Sequence, residues 1–335
     1  MTLYALQDID DAIDATRSFL WPFDLGRWLK LAVVVFFIGG SGGSSVNPGQ
    51  FSNTASTDSP PMDPGTMPSL SEITNALGTT EWLLVAGAVA LIVLLVLVLS
   101  FVSAVMEFVF VESLSRERVA IREYWRGWWR AGGRLFGFRL VVGLLSLTVA
   151  GGAILAALWP LLEGGGGFSV AALLLAIGVA LVVTLVSSLV NGFTTQFVVP
   201  VMITGNLTVL GAWRRFWPTM VGQWKQYLAY VFLRLVLSIA VAVVVGVVSA
   251  LGALVLAIPF GVLALLGAAV LTVSQVAGWA VILLAGALFV VTLLVLSLFV
   301  SVPVQTFLRY YALLVLGDTE AAFDLVDEQR QAIRA

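Results

Sequence analysis

Few residues in this 335-residue chain could carry chemistry. It has no histidine and no cysteine. That removes the commonest general base, thiol and disulfide chemistry, and the usual zinc ligands. What stands out instead is a small set of polar groups in apolar surroundings: Glu107, Arg139, Asn191, Gln196, Arg234 and Gln275. Arg139 and Arg234 are predicted to lie one or two turns inside hydrophobic runs. Charge at that depth is costly and commonly functional, marking ion paths or ligand counter-ions. Long guanidinium side chains near a run's end can also reach outward to water. Glu107 or Glu112 is placed to pair with Arg139. Two readings therefore stand side by side: structural pairing or snorkelling, and a transport or ligand role. The second requires Glu107, Arg139, Asn191, Gln196 and Arg234 to face a shared cavity. For Asn191, Gln196 and Gln275 the ordinary role is interhelical hydrogen bonding. No catalytic constellation, metal-ligand set or cofactor motif emerges.

A second group of residues suits a membrane surface. Arg118, Arg122, Arg126, Arg130 and Arg134 recur every four positions, which on a helix makes one slowly drifting basic stripe. Ile121, Trp125, Trp128 and Trp129 fall beside or opposite it. A helix carrying Arg and Trp in this way lies in the interface. It attracts anionic headgroups at about 1 kcal/mol per basic group near a charged surface. A plain topology anchor is the simpler reading of the same stripe. The residues expected to contact headgroups are Arg122, Arg126, Arg130, Arg214, Arg215 and Lys225. Those expected to anchor at headgroup level are Trp21, Trp28, Trp125, Trp129, Trp217 and Trp224, since a tryptophan ring can be buried there while its N–H stays wet. Nucleic acid is not an expected partner, because no exposed basic domain is present.

The elements that must position these residues follow from hydropathy. The chain is 60% hydrophobic, with mean hydropathy +1.04 and pI near 5.2. No Asp, Glu, Lys or Arg occurs from Leu235 to Leu308, and only about 20 residues are needed to cross the hydrocarbon. The expected fold is an all-α integral membrane bundle of six spans, near 27–43, 82–111, 135–162, 168–199, 228–258 and 277–302. All 17 Lys and Arg residues fall in four clusters that alternate with apolar blocks. By the positive-inside rule those clusters face the cytoplasm, which puts both termini there. The segment 260–274 leaves room for a re-entrant piece or an extra short span. The connector 44–80, rich in Gly, Ser, Pro and Asn, reads as an external solvated loop, with one short helical turn near 70–78.

The chain also reads as a repeat. Trp21-Pro22-Phe23-Asp24-Leu25-Gly26-Arg27-Trp28 matches Trp217-Pro218-Thr219-Met220-Val221-Gly222-Gln223-Trp224, in the pattern W-P-x-x-x-G-x-W. Gly127-Trp128-Trp129 takes the same place in the middle, without the Trp-Pro. Three units follow: 1–111, 112–203 and 204–316, with a short cytoplasmic helix at 317–335. Each would hold an interfacial amphipathic helix, a Gly-x-Trp corner and a membrane hairpin. Proline starts or breaks the helix and glycine permits the corner. Gly133-x-x-x-Gly137 offers a close helix approach.

Several motifs are weaker than their letters. Asp8, Asp10, Asp11 and Asp14 lack the glycine and final glutamate of an EF-hand. With Leu6, Ile9 and Ile13 they read as the wet face of an amphipathic helix. They also argue against a signal peptide, which would carry positive charge there. Gly164–Gly167 lacks the Lys-Ser/Thr of a phosphate loop. Asn206-Leu207-Thr208 is a glycosylation sequon by letter but falls on the cytoplasmic side. Pro200 and Pro303 lack the charged pattern that follows the prolines of mitochondrial-type carriers.

Four stretches, opening DIDDAIDATRSFLWPFDLGRWLKLAVV, REYWRGWWRAGGRLFGFRL, FVVPVMITGNLTVLGAWRRFWPTMVGQWKQYLAY and VPVQTFLRYYALLVLGD, together resemble a haloarchaeal multi-pass membrane family of unknown function. More distantly, the chain is similar to the membrane domain found ahead of some glycerophosphodiester phosphodiesterase catalytic domains. That catalytic chemistry uses histidines and metal-binding carboxylates, so no catalytic residue carries over. Fifteen Arg against two Lys, with acids in slight excess, fits a salt-adapted prokaryote. The expected function is non-enzymatic: a cell-membrane scaffold, assembly or regulatory component in contact with anionic lipid headgroups and a possible protein partner. A transporter or lipid-handling permease is the alternative.

Overall fold

The computed structural model describes residues 4–41, 79–162 and 169–334. The described residues form helices joined by short turns. Helix α1 (Tyr4–Leu20) leads to α2 (Leu25–Ser41), and α3 (Thr79–Ser115) to α4 (Ile121–Leu162). Helix α5 (Val170–Phe193) passes through a π-helical turn (Thr194–Val198) into α6 (Val199–Gly205). Then come α7 (Val209–Gly222), α8 (Trp224–Leu271), α9 (Gln275–Thr319), a 3-10 turn (Ala321–Phe323) and α10 (Asp327–Arg334). Five helical segments are long and apolar enough to cross a membrane: Trp82–Ser115, Ile121–Pro160, Val170–Gly205, Trp224–Leu271 and Gln275–Thr319. Long runs of Leu, Val and Ala take this form because in lipid each backbone polar group must be satisfied within its own segment. The protein is thus an α-helical protein built for a membrane.

Packing runs α8–α9–α2–α3–α4–α5, each against the next, while α1 lies across α9 and α8. The core is concentrated at one end. Its buried apolar residues run from Ala12 to Ile38, Ala104 to Leu135, Phe197 to Tyr230 and Val302 to Val326. Beyond that end the helices bury almost nothing. At most 6% of each segment's apolar window is inside the protein, and Leu83, Leu94, Leu144, Leu174, Val244 and Leu284 are all exposed. Water would penalise such surfaces, but lipid tails are as apolar as leucine, so in a membrane their exposure costs little.

Several expectations change here. Residues 260–271 are neither re-entrant nor a separate span: they continue α8 through Pro259. The hairpin to α9 is made at 272–274, where the Ser274 hydroxyl accepts from the Ala277 backbone N–H at 3.4 Å. A break between two helices occurs at two of the three predicted corners. Asp24 starts α2 by accepting from the Gly26 N–H at 3.0 Å. Gln223 breaks α7 from α8 with φ −118° and ψ 34°, and its amide donates to the Thr319 carbonyl at 2.7 Å. In the middle unit, which lacks the Trp-Pro, α4 runs unbroken from the basic stripe into the membrane segment.

The close approach of α3 and α4 is made at Gly132, not at Gly133 and Gly137. A Cβ on Gly132 would stand 2.8 Å from the Val105 Cα, whereas one on Gly133 would make ordinary contact with Phe101 and one on Gly137 would meet nothing. Of the expected loop 44–80, residues 44–78 lie outside the described residues, as do its turn at 70–78 and Gly164–Gly167, while Thr79 and Thr80 already belong to α3.

Candidate intramembrane polar site

Glu107 is the centre of the site. It lies in the C-terminal part of α3, 1% exposed, on the face that meets α4 and α9. Arg309 of α9 forms an ion pair with its Oε2, and Arg139 of α4 approaches its Oε1 at 3.4 Å. Both arginines also reach the π-helical turn. Arg139 donates to the Thr195 hydroxyl at 2.6 Å, and Arg309 donates to the Thr195 backbone carbonyl at 2.7 Å. The side-chain amide of the next residue, Gln196, lies 3.0 Å from both terminal nitrogens of Arg234, where donors on the guanidinium require its oxygen. Arg234 also donates to the Tyr230 hydroxyl at 2.7 Å, and Tyr230 stacks on Tyr311 with ring centroids 5.3 Å apart. Thr194 accepts from the Trp213 indole N–H at 3.1 Å. Five consecutive residues of π-helix therefore gather groups from α4, α7, α8 and α9. Such turns widen the backbone spiral, and they are frequent at functional sites.

The charge count is uneven. Around this turn stand one carboxylate, Glu107, and three guanidiniums: Arg139, Arg234 and Arg309. Among the described residues no other carboxylate makes an ion pair with them; Glu112 is taken by Arg116 at 2.6 Å. In a low-dielectric setting an uncompensated positive charge is expensive and favours an anion nearby.

Arg139 and Asn191 also line a cleft of about 590 Å³ between α3, α4 and α5. Ser100, Ser146, Thr184, Ser187 and Ser188 contribute its other polar groups, and Val96, Leu97, Leu140 and Leu144 its apolar walls. Ser146 and Ser187 are bonded to each other and to their own helices. The Nε of Arg139 and the Oδ1 of Asn191 are buried and have no protein partner.

Of the five residues required to face a shared cavity, Arg139 and Asn191 line the cleft and the other three do not: Glu107, Gln196 and Arg234 gather instead with Arg139 at the π-helical turn. Gln275 stands apart, at the far end of α9. Arg309 is the central residue that sequence reading missed. Position 309 follows the last apolar run, where an arginine reads as a topology charge.

The surface residues separate into two groups. Arg122, Arg126, Arg130, Arg214, Arg215 and Lys225 are all exposed, as are Trp21, Trp129, Trp217 and Trp224. Arg130 stands over the Trp129 ring at 5.5 Å and Lys225 over Trp224 at 5.9 Å. Arg215 turns to Phe323 at 5.5 Å instead. Trp28 and Trp125 are core packing more than surface anchors: Trp28 stacks on Phe299 at 5.8 Å, and Trp125 meets Phe101 edge-on at 6.5 Å.

A second charged network ties the termini together. Asp8 is fully buried on the inner face of α1 with Ala12, Ala15 and Phe19, a correction to its reading as a wet-face residue. Leu6 and Ile13 are exposed together with Asp10, Asp14 and Arg17, so the expected wet face stands at Asp10 and Asp14. Arg334 of α10 reaches Asp8 at 3.0 Å, Asp11 at 2.7 Å and Asp318 at 2.8 Å. Arg330 binds Asp318 at 2.6 Å and pairs with Asp324. Burial first, and the Asp318 carboxylate second, push the Asp8 carboxyl up to about 8. Its Oδ2 has no donor near it, as suits a carboxyl that keeps its own proton and donates to Asp318.

No curated protein and no solved structure matches this chain. A family model does match, over residues 3–326, so the chain belongs to the family of unknown function DUF7544.

Proposed function

We propose that this protein is a non-enzymatic cell-membrane component that organises anionic lipid, in a scaffold, assembly or regulatory role. The observation that carries the proposal is the pairing of exposed Arg and Lys with exposed Trp at the packed end: Arg122, Arg126 and Arg130 with Trp129, and Arg214 and Lys225 with Trp217 and Trp224. Such a rim binds anionic headgroups through charge while the indoles seat in the interface. Six spans, with both termini on one side, are supported by the contact of α10 with α1, and the clustering of Lys and Arg supports the cytoplasm as that side. An even number of crossings is needed to bring them together, so the 17-residue α2 is counted with the five longer helices. The W-P-x-x-x-G-x-W corners at α1–α2 and α7–α8 support three hairpin units. The balance of Arg over Lys supports a salt-adapted, archaeal source. The likeness to the membrane domain of glycerophosphodiester phosphodiesterases is proposed as one of membrane architecture alone.

The test is lipid enrichment. Protein reconstituted in phosphatidylcholine with one quarter phosphatidylglycerol is extracted in polymer discs, and the disc lipids are quantified. Phosphatidylglycerol is expected above its bulk share. At about 1 kcal/mol per basic group, Arg122→Gln/Arg126→Gln/Arg130→Gln should lose several-fold of that enrichment. Unchanged enrichment in the triple variant contradicts headgroup recognition.

A lipid-handling permease is the second reading, favoured by the gathering of Glu107, Arg139, Gln196 and Arg234 at one π-helical turn. Set against it is the stretch from Leu235 to Leu308, which offers no charged group to continue a polar path. Lipid or ion flux from proteoliposomes, abolished by Arg234→Gln, would favour this reading over the first.

A further inference from the structure

We infer that the cleft between α3, α4 and α5 is a binding site for a single anionic phospholipid, whose phosphate is held by Arg139 and whose headgroup hydroxyl is held by Asn191. The inference rests on the membrane reading above but uses different residues from the exposed rim.

Depth argues for a lipid. Roughly 20 residues cross the hydrocarbon. Counted from the far ends of the three helices, that length brings the cytoplasmic boundary near Phe101 on α3, Gly143 on α4 and Leu189 on α5. Ser100 therefore lies at that boundary, and Arg139 and Asn191 lie within about one turn of it on the cytoplasmic side. On the membrane side of this floor the cleft is walled by Val96, Leu97 and Leu144, with the Ser146 and Ser187 hydroxyls bonded to carbonyls of their own helices. A ligand fitting this shape has a polar head at the floor and an acyl chain against the walls.

Charge argues for an anion. Three guanidiniums share one carboxylate around the π-helical turn, and Arg139 is the one that opens to the cleft, with its side chain 14% exposed. A phosphate there would bring the cluster closer to neutrality. Charge-assisted hydrogen bonds from arginine to phosphate are among the stronger polar contacts.

The unspent atoms narrow the headgroup. Arg139 Nε is a donor and Asn191 Oδ1 an acceptor, and neither has a protein partner. A phosphodiester bearing a hydroxyl, as in phosphatidylglycerol, supplies an acceptor to the first and a donor to the second. Phosphatidylcholine supplies the phosphate acceptor but no hydroxyl donor, and its own cation would stand among the guanidiniums, so it meets only the first need and is the weaker ligand. The enclosed site is also less screened by salt than the exposed rim.

Native mass spectrometry of the full-length protein in mild detergent, supplied with dioleoylphosphatidylglycerol or dioleoylphosphatidylcholine, tests this. The wild type is expected to retain one phosphatidylglycerol and no phosphatidylcholine. Arg139→Gln should lower that occupancy about tenfold or more, the size expected when one charge-assisted contact is lost. Asn191→Leu leaves the Glu107 network intact and provides a second variant should Arg139→Gln fold poorly; it should lower occupancy as well. Arg122→Gln/Arg126→Gln/Arg130→Gln should keep the bound lipid, so failure of the rim and failure of the cleft are read separately. Equal retention in Asn191→Leu and the wild type, or equal retention of phosphatidylcholine, overturns the inference. So does protection of the site by millimolar inorganic phosphate with no lipid retained, which would mark it as a site for the free anion.

Discussion

Glu107 and Arg309 are ion-paired across 202 residues of sequence, and both side chains are less than 5% exposed. The pair locks the end of α3 to α9, and through Arg139 and Thr195 it locks both to α4 and the π-helical turn. A buried carboxylate shared by two arginines is more sensitive to loss of the carboxylate than to loss of either partner.

Glu107→Gln leaves three guanidiniums without a carboxylate. It is expected to destabilise the protein by about 3–5 kcal/mol, the usual cost of breaking a buried pair from one side. Arg309→Met leaves Glu107 with Arg139 and should cost less. Thermal unfolding in detergent, followed by tryptophan fluorescence, gives the ranking. A higher melting temperature for Glu107→Gln than for Arg309→Met would contradict this account of the cluster.

The tie between α1 and α10 should depend on pH through Asp8. Its carboxyl lies at about 8 in the folded protein, against an ordinary value of 3.8. The folded state therefore binds this proton more tightly than the unfolded state. The stabilisation is fully present below the ordinary value, declines as pH rises between the two, and is gone above the folded value. Amide exchange in α10 should accelerate from pH 5 to pH 8 in the wild type. Asp8→Asn, which imitates the protonated carboxyl, should show a flatter profile once intrinsic exchange is corrected. Parallel profiles would count against a proton shared between Asp8 and Asp318.

Gly132 should tolerate no side chain, while its neighbour should. Gly132→Ala pushes a methyl against the Val105 backbone and must part α3 from α4, at about 1–3 kcal/mol for overpacking. Gly133→Ala meets only ordinary contact with Phe101 and should be near neutral. Equal melting temperatures for the two variants would show that the helices do not approach at Gly132.

Hydropathy made the long helices legible, because a span's length is dictated by bilayer thickness and α3, α4, α5, α8 and α9 all exceed it. That Arg139 needs a carboxylate was legible for the same reason, since charge inside an apolar run demands a partner, but the choice of Glu107 over Glu112 was not. Arg309 was not, since its place depends on α9 continuing past the apolar run into the packed end. Asp8 was misread because periodicity alone does not say which acidic position of α1 meets protein: Asp10 and Asp14 are exposed, while Asp8 is buried against Arg334. The π-helical turn has no sequence signal of its own; Thr194, Thr195 and Gln196 show only that polar groups occur there. Gly132 and Gly133 are adjacent, and the choice between them is made by helix rotation alone.

The most direct test of the central claim is to extract the protein from its native membrane in polymer discs at low salt and compare the disc lipids with the bulk membrane. The account predicts enrichment of anionic phospholipid, falling as salt screens the exposed rim, with one anionic lipid per chain surviving exchange into detergent. A disc composition equal to the bulk at every salt concentration, with no lipid surviving exchange, would contradict it.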